Sequence, residues 1–124
     1  MNQTPSPSTM DRPFDEEAAD ELLTRLAQAE RRVGPNPETP VFLDVLLQVR
    51  FPEDQHRAAA LADSQRQVAD LALAIDSSLS NPEKCISFVD NANMALHVRA
   101  NASLVRSLLQ EHDYFWHVGL APTR

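Results

Sequence analysis

Few side chains in this sequence could do chemistry: Cys85, the one cysteine, His97 and His117 among four histidines, and the charged residues Asp44 and Arg99. A thiol, two imidazoles and a carboxylate form a zinc donor set, and a thiol beside an imidazole is a nucleophile with its base. The spacing argues against both. Close ligand pairs such as C-x₂-C are missing, so positions 85, 97 and 117 would have to be gathered by a sheet. Nothing marks an oxyanion hole or a helix end that would activate the thiol. There is no G-x-G-x-x-G, P-loop, H-E-x-x-H or G-x-S-x-G, and two glycines in the whole chain leave little for a phosphate-cradling loop. The acidic run Asp15, Glu16, Glu17, Asp20 and Glu21 reads as a solvated helix start. The expectation is a non-enzymatic protein with no metal and no cofactor. A small enzyme or metal-binding protein using Cys85, His97 and His117 is the alternative.

The elements that would position these residues follow from periodicity. Residues 1–12 are rich in Ser, Thr, Pro and Asn with little to bury, and read as a disordered tail. Residues 13–33 read as a helix with Asp11 as N-cap and Pro13 in the first turn. Its apolar stripe is Ala18, Leu22, Leu26, Ala29 and Val33. Residues 34–40, with Gly34-Pro35-Asn36-Pro37, read as a linker. From Val41 to Phe51 every odd position is apolar, which predicts a strand. A helix beginning at Thr39-Pro40 is the rival, and proline at both ends favours the strand. Pro52-Glu53-Asp54 opens a helix to about Leu79, with Ala58, Leu61, Val68, Leu71, Ala72 and Ile75 buried and Gln65 interrupting the stripe. Cys85–Val89 reads as a strand, Asp90-Asn91-Ala92-Asn93 as a turn, and Met94–Arg99 as the returning strand. Asn101 is placed to cap a helix carrying Leu104, Val105, Leu108 and Leu109. Tyr114–Leu120 is the last strand, with Tyr114, Trp116, Val118 and Leu120 on one face.

The resulting fold class is α+β. Residues 41–124 follow a ferredoxin-like β-α-β-β-α-β order, preceded by an extra N-terminal helix and the disordered tail.

Composition bounds the partners. The chain has 124 residues, 43% of them hydrophobic, enough for one domain with a core. Its formal charge is −7, from 18 acidic and 11 basic residues, and Lys84 is the sole lysine. Such a balance disfavours nucleic acid and an anionic membrane surface, and no apolar run is long enough to span a bilayer. A single thiol and an N-terminus without the basic start and apolar stretch of an export signal lead to the expectation of a cytoplasmic protein.

The mixed sheet face is the feature most suggestive of function. Phe42, Leu46, Val89 and Phe115 are expected there among Asp44, Cys85, His97, Arg99 and His117, too apolar for a face left bare. The first helix through Leu22 and Leu26, a second copy of the chain, or another protein could cover it. In the C-terminal half, Ile86-Ser87-Phe88-Val89-Asp90-Asn91-Ala92 is followed by an apolar return strand. A short helix, Ala102–His112, and Asp113-Tyr114-Phe115-Trp116-His117-Val118 come next. This pattern, over roughly residues 41–120, resembles the inhibitory propeptides of subtilisin-type serine proteases. The resemblance implies a domain whose sheet covers protease surface helices, with Phe42, Leu46 and Phe115 facing the protease. It also implies that Gly119-Leu120-Ala121-Pro122-Thr123-Arg124 enters the active-site cleft. Ligand-sensing domains of the ACT type share the element order, and a homodimeric sensor is a further alternative. Their glycine-bearing loop has no counterpart at Phe51-Pro52-Glu53-Asp54. The expected partner-binding residues are therefore Phe42, Asp44, Leu46, Arg99, Phe115, His117 and Leu120.

Overall fold

The computed structural model describes residues 11–33, 41–51, 56–76 and 81–122. Most of the expected N-terminal tail, the linker 34–40, the Pro52-Glu53-Asp54 helix start, Leu79 and the final two residues lie outside the described residues. The elements in chain order are α1 (Glu16–Val33), β1 (Phe42–Val49), α2 (Arg57–Ile75), a 3₁₀ turn (Pro82–Cys85), β2 (Ile86–Asp90), β3 (Ala95–Asn101), α3 (Ala102–Leu108) and β4 (Phe115–Leu120). The fold is α+β. Among the described residues, three α-helices accompany one four-stranded sheet of order β2-β3-β1-β4, in which every pairing is antiparallel.

The odd-position alternation of β1 decides which face becomes core. Val45, Leu47 and Val49 are at most 1% exposed, and their rung partners Val98, Leu96 and Val118 are equally buried. Against them pack Leu61, Val68 and Ala72 of α2 and Leu104, Val105 and Leu108 of α3, in one continuous hydrophobic cluster. Burying a side chain of this size contributes about 1.5–3 kcal/mol, so these rungs account for much of the stability. In α2 the buried stripe runs through Ala60, Leu61, Ser64, Val68, Ala69 and Ala72, whereas Ala58 is exposed. Ser64, rather than the half-buried Gln65, is the polar residue on that stripe. The helix starts at Arg57 behind His56, whose side chain makes no capping bond. Asn101 ends β3 and caps α3, its Oδ1 accepting from the Leu104 N–H at 2.8 Å. That helix stops at Leu108, short of the expected His112, and continues as turns.

Helix α1 begins later than Asp11 and Pro13 suggest. Asp15 is its capping residue, with Oδ1 accepting from the Ala18 N–H at 3.1 Å. Asp15 wins over Asp11 because its own backbone N–H is already held by the Trp116 carbonyl of β4 at 2.8 Å, which fixes the entry of the helix. α1 lies along β4 beside α3, tied to it by the Glu30–Arg106 ion pair at 2.9 Å. Leu22 and Leu26, at 0% and 1% exposure, join the main cluster together with Ala19.

Two irregularities in the sheet change which residues face which way. Val49 pairs with Phe115 while Gln48 pairs with His117, so one extra residue is accommodated in β4. Ile86 pairs with Val98 while Phe88 pairs with His97, placing another extra residue in β2. Each bulge inverts the alternation on one side of itself. The hairpin between β2 and β3 is closed by Asp90, which accepts from the backbone and side-chain amides of Asn93 at 3.1 and 2.8 Å. Met94 then takes a left-handed φ of 52° while buried, at 4% exposure.

Candidate functional site

Cα partners across an antiparallel pair share a face, so the register defines the side of the sheet away from α2 and α3. One row across it is Phe88–His97–Leu46–Gly119, and beside it lie Asp44–Arg99, Phe42–Asn101 and Gln48–His117. Phe42 and Phe88 are 45% and 56% exposed, two of five large apolar side chains left open among the described residues. Strand spacings of about 4.8 Å and residue rises of about 3.3 Å place these two rings on the order of 15 Å apart, at diagonal corners of the face. Between them, Arg99 lies 5.4 Å over the Phe42 ring and 3.5 Å from the Asp44 carboxylate, and Phe88 meets His97 edge-on at 5.5 Å. Both charged side chains of the Asp44–Arg99 pair are more than half exposed. The pair is therefore worth at most about 1 kcal/mol, and either member is available to a partner at little cost.

Of the expected contact residues, Phe42, Asp44, Leu46, Arg99 and His117 do lie on this face. Phe115 does not. The β4 bulge turns it to the helix side, where it is 0% exposed and one of the largest buried side chains. Leu120 pairs with Val45 and packs, partly buried, against the core. Val89 pairs with Leu96 and also faces the helices, because the β2 bulge exchanges its direction with that of Phe88. Phe88 is the residue that sequence alternation missed, and only the bulge reveals it. The first helix reaches this face only on its β4 side, where Asp15 and Ala18 meet His117 and Gly119, while Leu22 and Leu26 are spent in the core cluster.

His117 faces this side but is engaged. Its Nδ1 lies 2.9 Å from Asp15 Oδ2, and its Nε2 packs over Gly119. The Asp15 carboxyl is held below its ordinary value, first by the Ala18 N–H bond and then by the bond to His117. Arg12 lies 3.9 Å over the Trp116 ring and Phe14 stacks on His112 at 3.8 Å. These contacts clasp the start of α1 to the free edge of β4, and Gly119 is the position that lets helix and strand approach.

Cys85, His97 and His117 do not converge. Cys85 sits in the 3₁₀ turn beside α2, with Sγ 3.0 Å from the Pro82 carbonyl, and burial pushes its thiol pKa up. A thiol so held stays protonated and is a poor nucleophile. His97 and His117 are separated by β1 and stand in different rungs, roughly 10 Å apart by strand spacing. Among the described residues no three His, Cys, Asp or Glu side chains are grouped to hold a metal ion. Nor is any described helix long and apolar enough to cross a membrane.

Of the expected tail, Gly119 and Leu120 belong to β4, and the Ala121 N–H continues the pairing by donating to the Asp44 carbonyl at 3.0 Å. Pro122, the last described residue, lines a groove with Leu46, Phe88 and His97 on the open face. Beside Cys85 a second cleft, of about 320 Å³, opens between α2 and α3. Comparison with known proteins gives no family model, no curated protein and no solved structure that matches the chain.

Proposed function

We propose that this chain is a non-enzymatic protein-binding domain of ferredoxin-like arrangement that works through the open face of its sheet. The observation that carries the reading is the exposure of Phe42 and Phe88, at 45% and 56%, on the sheet face away from α2 and α3. The order β1-α2-β2-β3-α3-β4 and the strand order β2-β3-β1-β4 support the ferredoxin-like description. Aromatic anchors near exchangeable charges, here Phe42 and Phe88 near Asp44 and Arg99, are the composition expected of a contact surface. The dispersal of Cys85, His97 and His117 supports the non-enzymatic part.

The sharpest form of the proposal is inhibition of a subtilisin-type protease, with the sheet on the protease surface and the chain from Pro122 onward directed to its cleft. A panel of such proteases titrated with the purified chain tests it. Stoichiometric inhibition that is lost in Phe88→Asp, with the variant still folded, is the expected result. Absence of inhibition across the panel removes the protease form. Light scattering that shows a dimer dissolved by the same substitution reassigns the face to a second copy of the chain.

A further inference from the structure

The cleft of about 320 Å³ lies between the last turn of α2, the 3₁₀ turn and the start of α3, and meets the open sheet face only at Phe42, Arg99 and Asn101. Its walls are apolar: Ala72, Ile75, Pro82, Cys85 and Leu104, with Phe42 among the lining residues. At about 30 Å³ for each water-sized group, it has room for on the order of ten non-hydrogen atoms. That is the lower end of the range for ligand pockets, which are largely apolar with a few polar groups that fix orientation.

The polar lining is distinctive for this chain. Lys84, the sole lysine of a protein with a net charge of −7, and Arg99 both line the cleft. Among the described residues Lys84 makes no ion pair, and its backbone N–H is used by Asn81. Arg99 shares its guanidinium with Asp44 at 3.5 Å but is 61% exposed, so further acceptors can reach it. One carboxylate, Asp76, also lines the cleft. Counting Asp44 beside Arg99, the charges around the cleft cancel, and Lys84 is the cation there that no carboxylate meets among the described residues. One such cation beside an apolar recess suits a monoanion with an apolar body better than a dianionic phosphate.

We propose that this cleft binds a small amphipathic monocarboxylate, with its hydrocarbon part among Ile75, Cys85 and Leu104 and its carboxylate between Lys84 and Arg99. Octanoate, with ten non-hydrogen atoms (roughly what the volume admits), is the probe. Calorimetric titration of the full chain compares octanoate with octan-1-ol and with inorganic phosphate. The expected result is saturable one-to-one binding of octanoate, at least tenfold weaker for octan-1-ol, absent for phosphate, and at least tenfold weaker in Lys84→Gln. Octan-1-ol binding as tightly as octanoate, phosphate competing with it, or unchanged affinity in Lys84→Gln would each overturn the assignment. A second readout needs no variant. Cys85 forms part of the wall, so saturating octanoate should slow its alkylation by iodoacetamide severalfold. An alkylation rate that does not respond to octanoate places any binding elsewhere and refutes the site.

Discussion

The clasp between α1 and β4 can be tested at Gly119. A Cβ added there would lie 2.7 Å from His117 Nε2, 3.2 Å from its Cε1 and 3.1 Å from the Ala18 Cβ. The first distance is impossible without movement, and the imidazole is the part free to move. Moving it, however, breaks the 2.9 Å bond to Asp15. Overpacking of this kind costs about 1–3 kcal/mol, offset by about 0.4–1 kcal/mol from the reduced freedom of the unfolded chain, so Gly119→Ala should destabilise by about 1–2 kcal/mol. His117→Ala alone should cost about 1 kcal/mol for the lost hydrogen bond. In the double variant the imidazole is gone, and only the Ala18 contact at 3.1 Å remains to be relieved by a shift of a few tenths of an ångström. The two costs should therefore fall short of additivity by about 1 kcal/mol. Urea unfolding of the four proteins, followed by circular dichroism, measures the cycle. Additivity within about 0.3–0.5 kcal/mol would refute the reasoning, since it would mean that the added methyl never meets the His117 ring.

Three further outcomes follow from the same geometry. Asp15→Asn keeps an oxygen to cap the Ala18 N–H and removes only the carboxylate's charge at the helix start, so it should lower stability at neutral pH by about 0.3–1 kcal/mol. Because the carboxyl lies below its ordinary value of 3.8 in the fold, its share of stability is complete above that value and is lost as pH falls through the lower folded one. Melts from pH 6 down to pH 2 should thus show wild type and Asp15→Asn converging at the acid end, and parallel curves would contradict the assignment. Leu47→Ala, at a fully buried rung between Leu96 and Val118, should cost about 2–5 kcal/mol in chemical unfolding. A loss below about 0.5 kcal/mol would place the core on the other face of β1. Phe88→Asp, by contrast, should change the unfolding midpoint by no more than about 0.5 kcal/mol, because the ring it removes is more than half exposed.

Much of the helix-facing layer was legible in the sequence, because local periodicity alone decides it. The odd positions of β1 read as one apolar face, and Val45, Leu47 and Val49 are buried accordingly. Asn101 read as a cap, and its side chain holds the Leu104 N–H. The open face was legible at Phe42, Asp44, Leu46, His97, Arg99 and His117. It failed at Phe115, Val89 and Phe88 for one reason. A bulge is a property of the pairing between two strands, and neither strand carries a glycine or other local mark at the extra residue, so strict alternation puts the flanking side chains on the wrong side. The start of α1 failed similarly. Asp11 and Asp15 are equally good caps by type, and the choice is made by a backbone bond to Trp116, 101 residues away in the chain.

The two edges of the sheet are treated differently, and the difference bears on how a partner would dock. At β4 the Trp116 carbonyl is taken by Asp15, and α1 runs alongside, so that edge is closed to strand addition. At β2 no described strand pairs outward, yet the strand has only five residues and carries a bulge, and both features hinder further pairing. Edge-to-edge growth is thus discouraged at both ends while the face between them stays open. Phe42 and Phe88 contribute little to the core from their exposed positions, and a polar β-branched residue at either site would suit a strand equally well. A partner laid across the face would gain what folding leaves unused. Burying the exposed parts of two phenylalanines yields on the order of 1–3 kcal/mol, and the Asp44–Arg99 pair can re-partner at little cost. The same substitution, Phe88→Asp, should therefore separate binding from stability, removing most of the affinity while leaving the unfolding midpoint in place.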